Sequence, residues 1–589
     1  MEYDCIVVGA GSSGCVVASR LSERPNCRVA LIEAGSDFLS PQAVGVLSDP
    51  RGRAMYRDQF VWPELYAARS ARDVRGKRRD YPYLQGKLVG GSSAVNAMFA
   101  MLPQPIDLDE WADLGAIGWR FEDLQPVLKR LVGEDAADES DCGLPQGGRM
   151  PLYLSDPDEW SPFVKTLASR IVESGEAQHE NLGTTFEDGV GALPKSQAEG
   201  VRVSAADAYL SPEVRTRPNL SLFVETHVTR LLFESGKISG VEIHDTRGTQ
   251  KLVAPNVVIC AGAFHSPAIL MRSGLGPEGQ LRNRGIEIVA NLPGIGENLH
   301  EHPTVGIAAH LVKEARVDLE SYLAPYVVQR YSSGIGELGT RDMFMSLRSH
   351  HGWHSVGAQF GGIHVALYKP ASRGRVTLVN QHFQTPPKID LNMLAAPIDR
   401  SRLLAGVRRA FWLLHRPEIL SLWTQDLSLN FPSRVKRLNA WSPWNALRMK
   451  AAARVMDLSP TLRDVLIRKL MNKGLELSDI IDSDEDLSFW LEDAVYGSWH
   501  VGGTCRMGDP SSKETVVDPQ GRVIGIGGLW VADASVMPTP IRSTTNLTAM
   551  LIGEKISEGV ARHIYSNRVA TVAPLRHKSS RKTKKDLNA

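Results

Sequence analysis

The first 33 residues predict an α/β protein built on a Rossmann-type parallel sheet. Tyr3-Asp4-Cys5-Ile6-Val7-Val8 is short, apolar and β-branched, as a strand buried on both faces should be. Gly9-Ala10-Gly11-Ser12-Ser13-Gly14 follows without a break and opens a helical stretch, Cys15 to Leu21. A second strand, Arg28 to Ile32, ends at Glu33, nineteen residues after Gly14.

The order of these pieces carries the argument. Gly9 permits a tight turn, Gly11 admits a pyrophosphate close to the backbone, and Gly14 lets the helix pack against the strand, while the N–H groups around Ser13 at the helix start face phosphate oxygens. Glu33 can accept both ribose hydroxyl protons and would repel a 2′-phosphate. The expected ligand is a dinucleotide, FAD or NAD(P), between which this motif does not choose.

Composition agrees with an ordinary globular enzyme. The 589 residues hold 67 Lys and Arg against 66 Asp and Glu, and 43% are apolar. A net charge of +1 argues against a nucleic-acid binder that relies on a basic field. No apolar run reaches the ~18 residues a spanning helix needs, and no basic region precedes Cys5, so neither a transmembrane segment nor a signal peptide is expected. The six cysteines (Cys5, Cys15, Cys27, Cys142, Cys260, Cys505) form no CxxC pair. That spacing fits a reducing, cytoplasmic setting without a disulfide framework or zinc ribbon.

Further along, Gly86-Lys87-Leu88-Val89-Gly90-Gly91-Ser92-Ser93-Ala94-Val95-Asn96-Ala97-Met98 reads as small residues opening a helix, suited to a backbone pressed against a flat ring. With this run the sequence resembles the glucose-methanol-choline (GMC) oxidoreductase family, whose members carry GKxxGGSSxxNxM at the flavin. Gly262 to Leu270 with Ser273 to Pro277, Leu292 to Leu299 with His302-Pro303, His500 to Gly508, and Val531 to Pro538 resemble its later segments in the same order. The likeness is nearest to choline-dehydrogenase-like and aryl- or alkyl-alcohol members.

That resemblance implies FAD as cofactor and a discontinuous FAD-binding domain, residues 1–155, 200–310 and 496–565. A substrate-binding domain on a mostly antiparallel sheet, residues 156–199 and 311–495, would cover the flavin. The pattern independently reads Leu220–Val224 and Val228–Phe233 as paired strands, and Val257–Gly262 and Leu529–Asp533 as buried ones. By resemblance Val228 lies near the adenine, Asp533 near the pyrophosphate and ribityl chain, and Gly91, Ser92 and Asn96 against the flavin.

Oxidising an alcohol removes a hydride, taken by flavin N5, and a proton, which the protein must accept. A neutral imidazole suits that task near pH 7. His500 stands where the family places this base, between Trp499 and Gly-Gly-Thr-Cys-Arg-Met-Gly. Opposite it the family has Asn or His to hold the substrate oxygen. Aligning Pro538 and Asn546 puts Thr544 there, a hydroxyl that can donate or accept but cannot act as a base at neutral pH. Either the support of the substrate oxygen is altered, or Asn546 or a water takes it over, or little activity remains. Val95 occupies the place of a flavin-linked His, so FAD is expected to be noncovalent, and Gln85 replaces a common Arg.

The expected activity is oxidation of a small-molecule alcohol to a carbonyl, with oxygen or a quinone as acceptor and a dehydrogenase favoured over an oxidase. Alternatives are an FAD-containing lyase of the same family without net redox, a flavin-binding protein with lapsed catalysis, and, without the resemblance, an NAD-dependent dehydrogenase. His350, His351 and His354 read as a solvated surface rather than a metal site. Residues 566–589 read as a basic, disordered tail.

Residues 434–473 form a basic amphipathic insertion, with ten Lys and Arg against Asp457 and Asp464. Its apolar contacts are Trp441, Trp444, Leu447, Met449, Val455, Met456, Leu462, Val465, Leu466 and Leu470, and Leu462, Val465, Leu466 and Leu470 share one helical face. It reads as a solvated lid or subunit contact, or else as a peripheral contact with anionic lipid on the inner face of a membrane.

Overall fold

The computed structural model describes residues 2–69, 80–133, 147–320, 326–428, 439–467 and 476–572. The first sheet is assembled from distant parts of the chain: β1 (Cys5–Val8), β2 (Val29–Ile32), β3 (Leu220–Phe223), β4 (Val257–Ile259) and β5 (Leu529–Val531). The order is β3-β2-β1-β4-β5, with every pairing parallel. Helix α1 (Ser12–Ser22) makes the crossover from β1 to β2, and every residue of those two strands is buried. Central strands covered on both faces need continuous apolar sequence, which is why their pattern was uniform rather than alternating.

Leu220–Phe223 and the strand at His227–Glu234 both exist, yet they do not pair with each other. Leu220 pairs with Val29 on the outer edge of β2, while Val228 pairs with Ile243 in a separate antiparallel sheet. The cause is local. Glu225 takes φ 50°, turning the chain between the two, and Ser235-Gly236 at φ 49° and 75° makes the reversal that hands His227–Glu234 to its real partner, Lys237–Asp245.

A second, larger sheet contains β6 (Met343–Arg348) and β7 (Phe360–Leu367) as antiparallel neighbours. Pro303–Leu311 lies beyond β7, and Tyr326–Tyr331 lies beyond β6. Ser346 is opposite His364, Phe344 opposite Ala366, and Thr304 also opposite Ala366. Directly paired residues share a face, so these side chains, with Arg348 two positions past Ser346, line one side of the sheet. All of them border the large cavity described below.

The run from Gly86 to Met98 opens no α-helix. It makes a single 3₁₀ turn, Gly91–Ala94, preceded by Gly90 at φ 96° and followed by Met98 at φ 64°. Asn96 Oδ1 takes the Met98 N–H at 3.0 Å, which ends the turn where a helix would have continued.

Within the basic insertion, helices α2 (Pro443–Leu458) and α3 (Pro460–Val465) lie among the described residues; 434–438 and 468–473, with Leu470, lie outside them. Its apolar residues divide rather than act together. Met449 and Met456 are buried, Met456 against Ala308 and Phe360, whereas Trp444, Leu447, Leu462 and Val465 are exposed. Leu466 turns inward beside Ile467, so the face of three leucines and one valine expected from the sequence is split. The C-terminal helix starts at Thr545, and residues 573–589 of the tail lie outside the described residues.

Candidate active site

One cavity of about 1100 Å³ joins the glycine-rich loop to the second sheet. It exceeds the ~300–1,000 Å³ typical of a small-ligand pocket. At one end the backbones of Gly11 and Gly91 nearly touch: a Cβ on Gly91 would stand 2.6 Å from Gly11 Cα. Gly9 has φ 98°, and a Cβ on Gly14 would stand 1.8 Å from Gly9 O. Both positions therefore exclude side chains, one by conformation and the other by close packing.

Glu33 is buried, its Oε2 accepting the Ala10 N–H at 2.9 Å and its Oε1 the Gly35 N–H at 2.8 Å. Burial raises its pKa, and these N–H donors oppose the rise. Ser13 Oγ donates to Ala549 O at 2.7 Å, so this hydroxyl ties α1 to the C-terminal helix and leaves ligand contact to the backbone. Ser92 Oγ accepts the Gly86 N–H, and Asn96 Oδ1 accepts from Arg202 Nη1 at 2.9 Å. Val228 borders the same cavity. Asp533 is buried and accepts from Gly262 N at 2.8 Å, Ser266 Oγ at 2.5 Å and Ser535 N at 2.8 Å, which ties the segment after β5 to the start of the helix that follows β4.

At the other end stands His500. Its Nδ1 lies 3.0 Å from His302 Nδ1, and its backbone N–H donates to Glu301 Oε1 at 2.8 Å. Burial pushes the His500 imidazole down to about 4 and holds His302 well below its ordinary value. Glu301 also takes the His302 N–H at 2.8 Å and the Tyr83 hydroxyl proton. Burial, only partly offset by these donors, pushes its carboxyl up to about 7. Tyr368 stacks on His302 at 4.3 Å and meets the His500 ring edge-on at 5.8 Å. Thr544 borders this cavity, but its hydroxyl donates to Phe99 O at 3.2 Å, leaving lone pairs rather than a proton for a ligand. Asn546 also borders it, with Oδ1 accepting from Ser12 Oγ at 2.8 Å.

Two family models with the description GMC oxidoreductase match residues 3–304 and 370–553, together well over half the chain. The chain belongs to the GMC oxidoreductase family. It is 34% identical to 5-(hydroxymethyl)furfural oxidase of Methylovorus sp. (strain MP688), across 95% of this chain and 98% of that protein. It is 27% identical to oxygen-dependent choline dehydrogenase of Sinorhizobium medicae (strain WSM419), across 95% and 96%. The crystal structure of pyridoxine 4-oxidase from Mesorbium loti superposes with a TM-score of 0.75 at 25% identity, across 95% and 99%. This GMC oxidoreductase is accordingly an FAD-dependent enzyme of the α/β GMC fold acting on alcohol CH–OH groups.

The residues present fit FAD. The Gly11–Gly91 contact leaves a cradle that any Cβ would fill, and Gln85 Oε1, on the cavity wall, is buried without a partner among the described residues, an acceptor suited to a flavin N–H. Val95 is buried on the same wall and offers no nucleophilic atom.

One surface expectation is corrected. His350, His351 and His354 do not lie on the open surface: each is half-buried and borders the cavity, and burial pushes them down to about 3, 4 and 4. His351 Nε2 lies 2.9 Å from His364 Nε2, whose Nδ1 meets the Tyr496 hydroxyl at 2.8 Å. The sequence reading assigned no role to Glu301, His302, Tyr368 or Arg348. A signal existed for three of them, since Glu301-His302 adjoins Pro303 in one of the family-like segments, and Arg348 ends a mostly apolar strand.

Proposed function

We propose that the enzyme oxidises a primary alcohol on an aromatic or furan ring, with His500 as the general base. The observation that carries this reading is His500 on the wall of the cavity that also holds the glycine cradle, paired with the buried His302. Two neutral imidazoles joined Nδ1 to Nδ1 share one proton. With that proton on His500, its Nε2 is bare and can accept the proton of an alcohol, while His302 fixes the ring. Bound FAD supplies the hydride acceptor. Tyr368, Phe344, Phe99 and Tyr326 give an aromatic wall for a planar substrate, and Thr544 Oγ1 offers a lone pair to the substrate hydroxyl.

In this reading residues 1–155, 200–310 and 496–565 hold FAD through Gly9, Gly11, Ser13, Gly14, Glu33, Gly91, Ser92, Asn96, Val228 and Asp533. Residues 156–199 and 311–495 cover it. The relatives named as oxidases support oxygen as the electron acceptor over a quinone. The exposed Trp444, Leu447, Leu462 and Val465 beside Arg448 and Lys450 support a peripheral membrane contact as a separate role for the insertion. No helix among the described residues is long and apolar enough to cross a membrane.

The test is anaerobic mixing of the yellow holoenzyme with a panel of benzylic, furanic and aliphatic alcohols. Bleaching of the flavin by ring-bearing alcohols, followed by hydrogen peroxide on admitting oxygen, is expected. An unbleached flavin across the panel would refute the alcohol reading, and bleaching without peroxide would refute oxygen as acceptor.

A further inference from the structure

Arg348 is the one charged residue of a mostly apolar strand, Met343-Phe344-Met345-Ser346-Leu347-Arg348. Alternation turns Phe344, Ser346 and Arg348 toward the cavity, and all three border it. The guanidinium carbon lies 5.3 Å from the Tyr326 ring centre and 5.5 Å from that of Phe99. These two rings meet edge to face at 4.1 Å.

No hydrogen bond or ion pair joins the Arg348 side chain to any described residue, and its Nε is buried without a partner. Two other arginines on the cavity wall are neutralised, while Arg272, also on it, likewise keeps a buried Nε without a partner. Arg51 holds Asp49 at 2.8 Å, and Arg53 holds Glu320 at 3.2 Å. Arg348 is half-buried, with only its Nε shut off from water, and the planar donors it keeps unpaired on the cavity wall match a carboxylate.

The same wall leads to the reacting end. Phe99 O accepts the Thr544 hydroxyl, and Phe344 stacks at 4.6 Å on Tyr368, which meets His500 edge-on. Phe344 and Arg348, four residues apart on one strand, are separated by about 13 Å along it. A flat ring lying on this wall can therefore present one end to His500 and the other to the guanidinium.

Resting on the alcohol reading above, we propose that Arg348 binds a carboxylate on the substrate, so that the enzyme prefers hydroxymethyl arene or furan carboxylates to neutral and cationic alcohols. The positive charge that attracts such a substrate repels a quaternary ammonium alcohol, which separates this chain from relatives named for choline. Arg348 is thus a specificity-determining residue for the far end of the substrate and takes no part in proton removal.

Binding is tested first, without turnover. 4-Methylbenzoate, which has no alcohol to oxidise, and its methyl ester are titrated calorimetrically into wild-type holoenzyme, Arg348→Gln and Arg348→Lys. Loss of a charge-assisted pair predicts at least a tenfold weaker Kd for the acid in Arg348→Gln, with partial recovery in Arg348→Lys and the ester changed less than about threefold. Turnover is then compared for 4-(hydroxymethyl)benzoate, its methyl ester and choline. The expected order of kcat/KM is acid above ester by about tenfold, choline last, with the acid's advantage lost in Arg348→Gln at unchanged flavin content.

Equal wild-type affinity for acid and ester would overturn the proposal, as would an equal loss of both in Arg348→Gln while Arg348→Lys behaves as wild type. If no alcohol bleaches the flavin but 4-methylbenzoate binds in an Arg348-dependent way, the alcohol reading fails and the carboxylate site stands.

Discussion

The pH dependence of flavin reduction distinguishes a buried His500 from an ordinary one. Burial alone pushes this imidazole down to about 4. Glu301, against its backbone, keeps its proton up to about pH 7 and so gives no anionic support through the acidic range. A base must be unprotonated, so activity is lost as pH falls through the folded pKa. With that pKa near 4, about 97% of His500 is neutral at pH 5.5; with an unperturbed value of ~6.5 only about 9% would be. The rate of anaerobic flavin reduction, followed by stopped flow with a saturating alcohol that does not titrate, should therefore differ less than about twofold between pH 5.5 and 8. His500→Ala should retain FAD and reduce it about 100-fold more slowly at every pH in that range. A wild-type rate that falls tenfold from pH 7.5 to 5.5 would refute the burial argument, and a loss below tenfold in His500→Ala would refute the role.

Two further outcomes follow from groups around this site. Because the folded state holds the Glu301 proton up to about pH 7, against a model value of 4.5, wild-type stability should fall as pH rises from 5 toward 8, by about 2 kcal/mol from this group. Glu301→Gln keeps an oxygen for the two N–H groups that meet Oε1, so urea unfolding of wild type and variant should converge near pH 5 and diverge in the variant's favour at pH 8; parallel curves would show that Glu301 is ionised throughout. Since Val95 cannot bond to a flavin, acid precipitation should leave all the flavin in the supernatant, and yellow colour retained in the washed pellet would contradict that.

The nucleotide end was legible because its information is local. Gly9 and Gly14 answer to constraints within a single strand-turn-helix unit: Gly14 must clear Gly9 O, and Gly9 must take φ 98°. A sequence pattern can report such constraints, since the residues that impose them are neighbours. The central strands were legible for a related reason, being covered on both faces and so uniformly apolar. Their pairing was less so. Leu220–Phe223 and His227–Glu234 carry strand patterns of similar strength, and only the positive φ at Glu225 and the reversal at Ser235-Gly236 decide their partners.

The reacting end is assembled by register between distant strands, and there the pattern says much less. His302 precedes one strand, and His500 follows the short pairing of Tyr496-Gly497 with Pro303-Thr304. That pairing brings the two rings to 3.0 Å across 198 positions. Arg348 and Thr544 show the same difficulty from opposite sides. Thr544 invites an active role because a motif leads to it, yet its proton is given to the Phe99 carbonyl. Arg348 belongs to no motif, yet it keeps its donors unpaired over Phe99 and Tyr326. What distinguishes them is whether the fold has already satisfied their hydrogen bonds, a property of three-dimensional neighbours. On the aromatic wall the unsatisfied guanidinium has capacity to select a substrate, while the satisfied hydroxyl serves first to fix the wall on which that substrate lies.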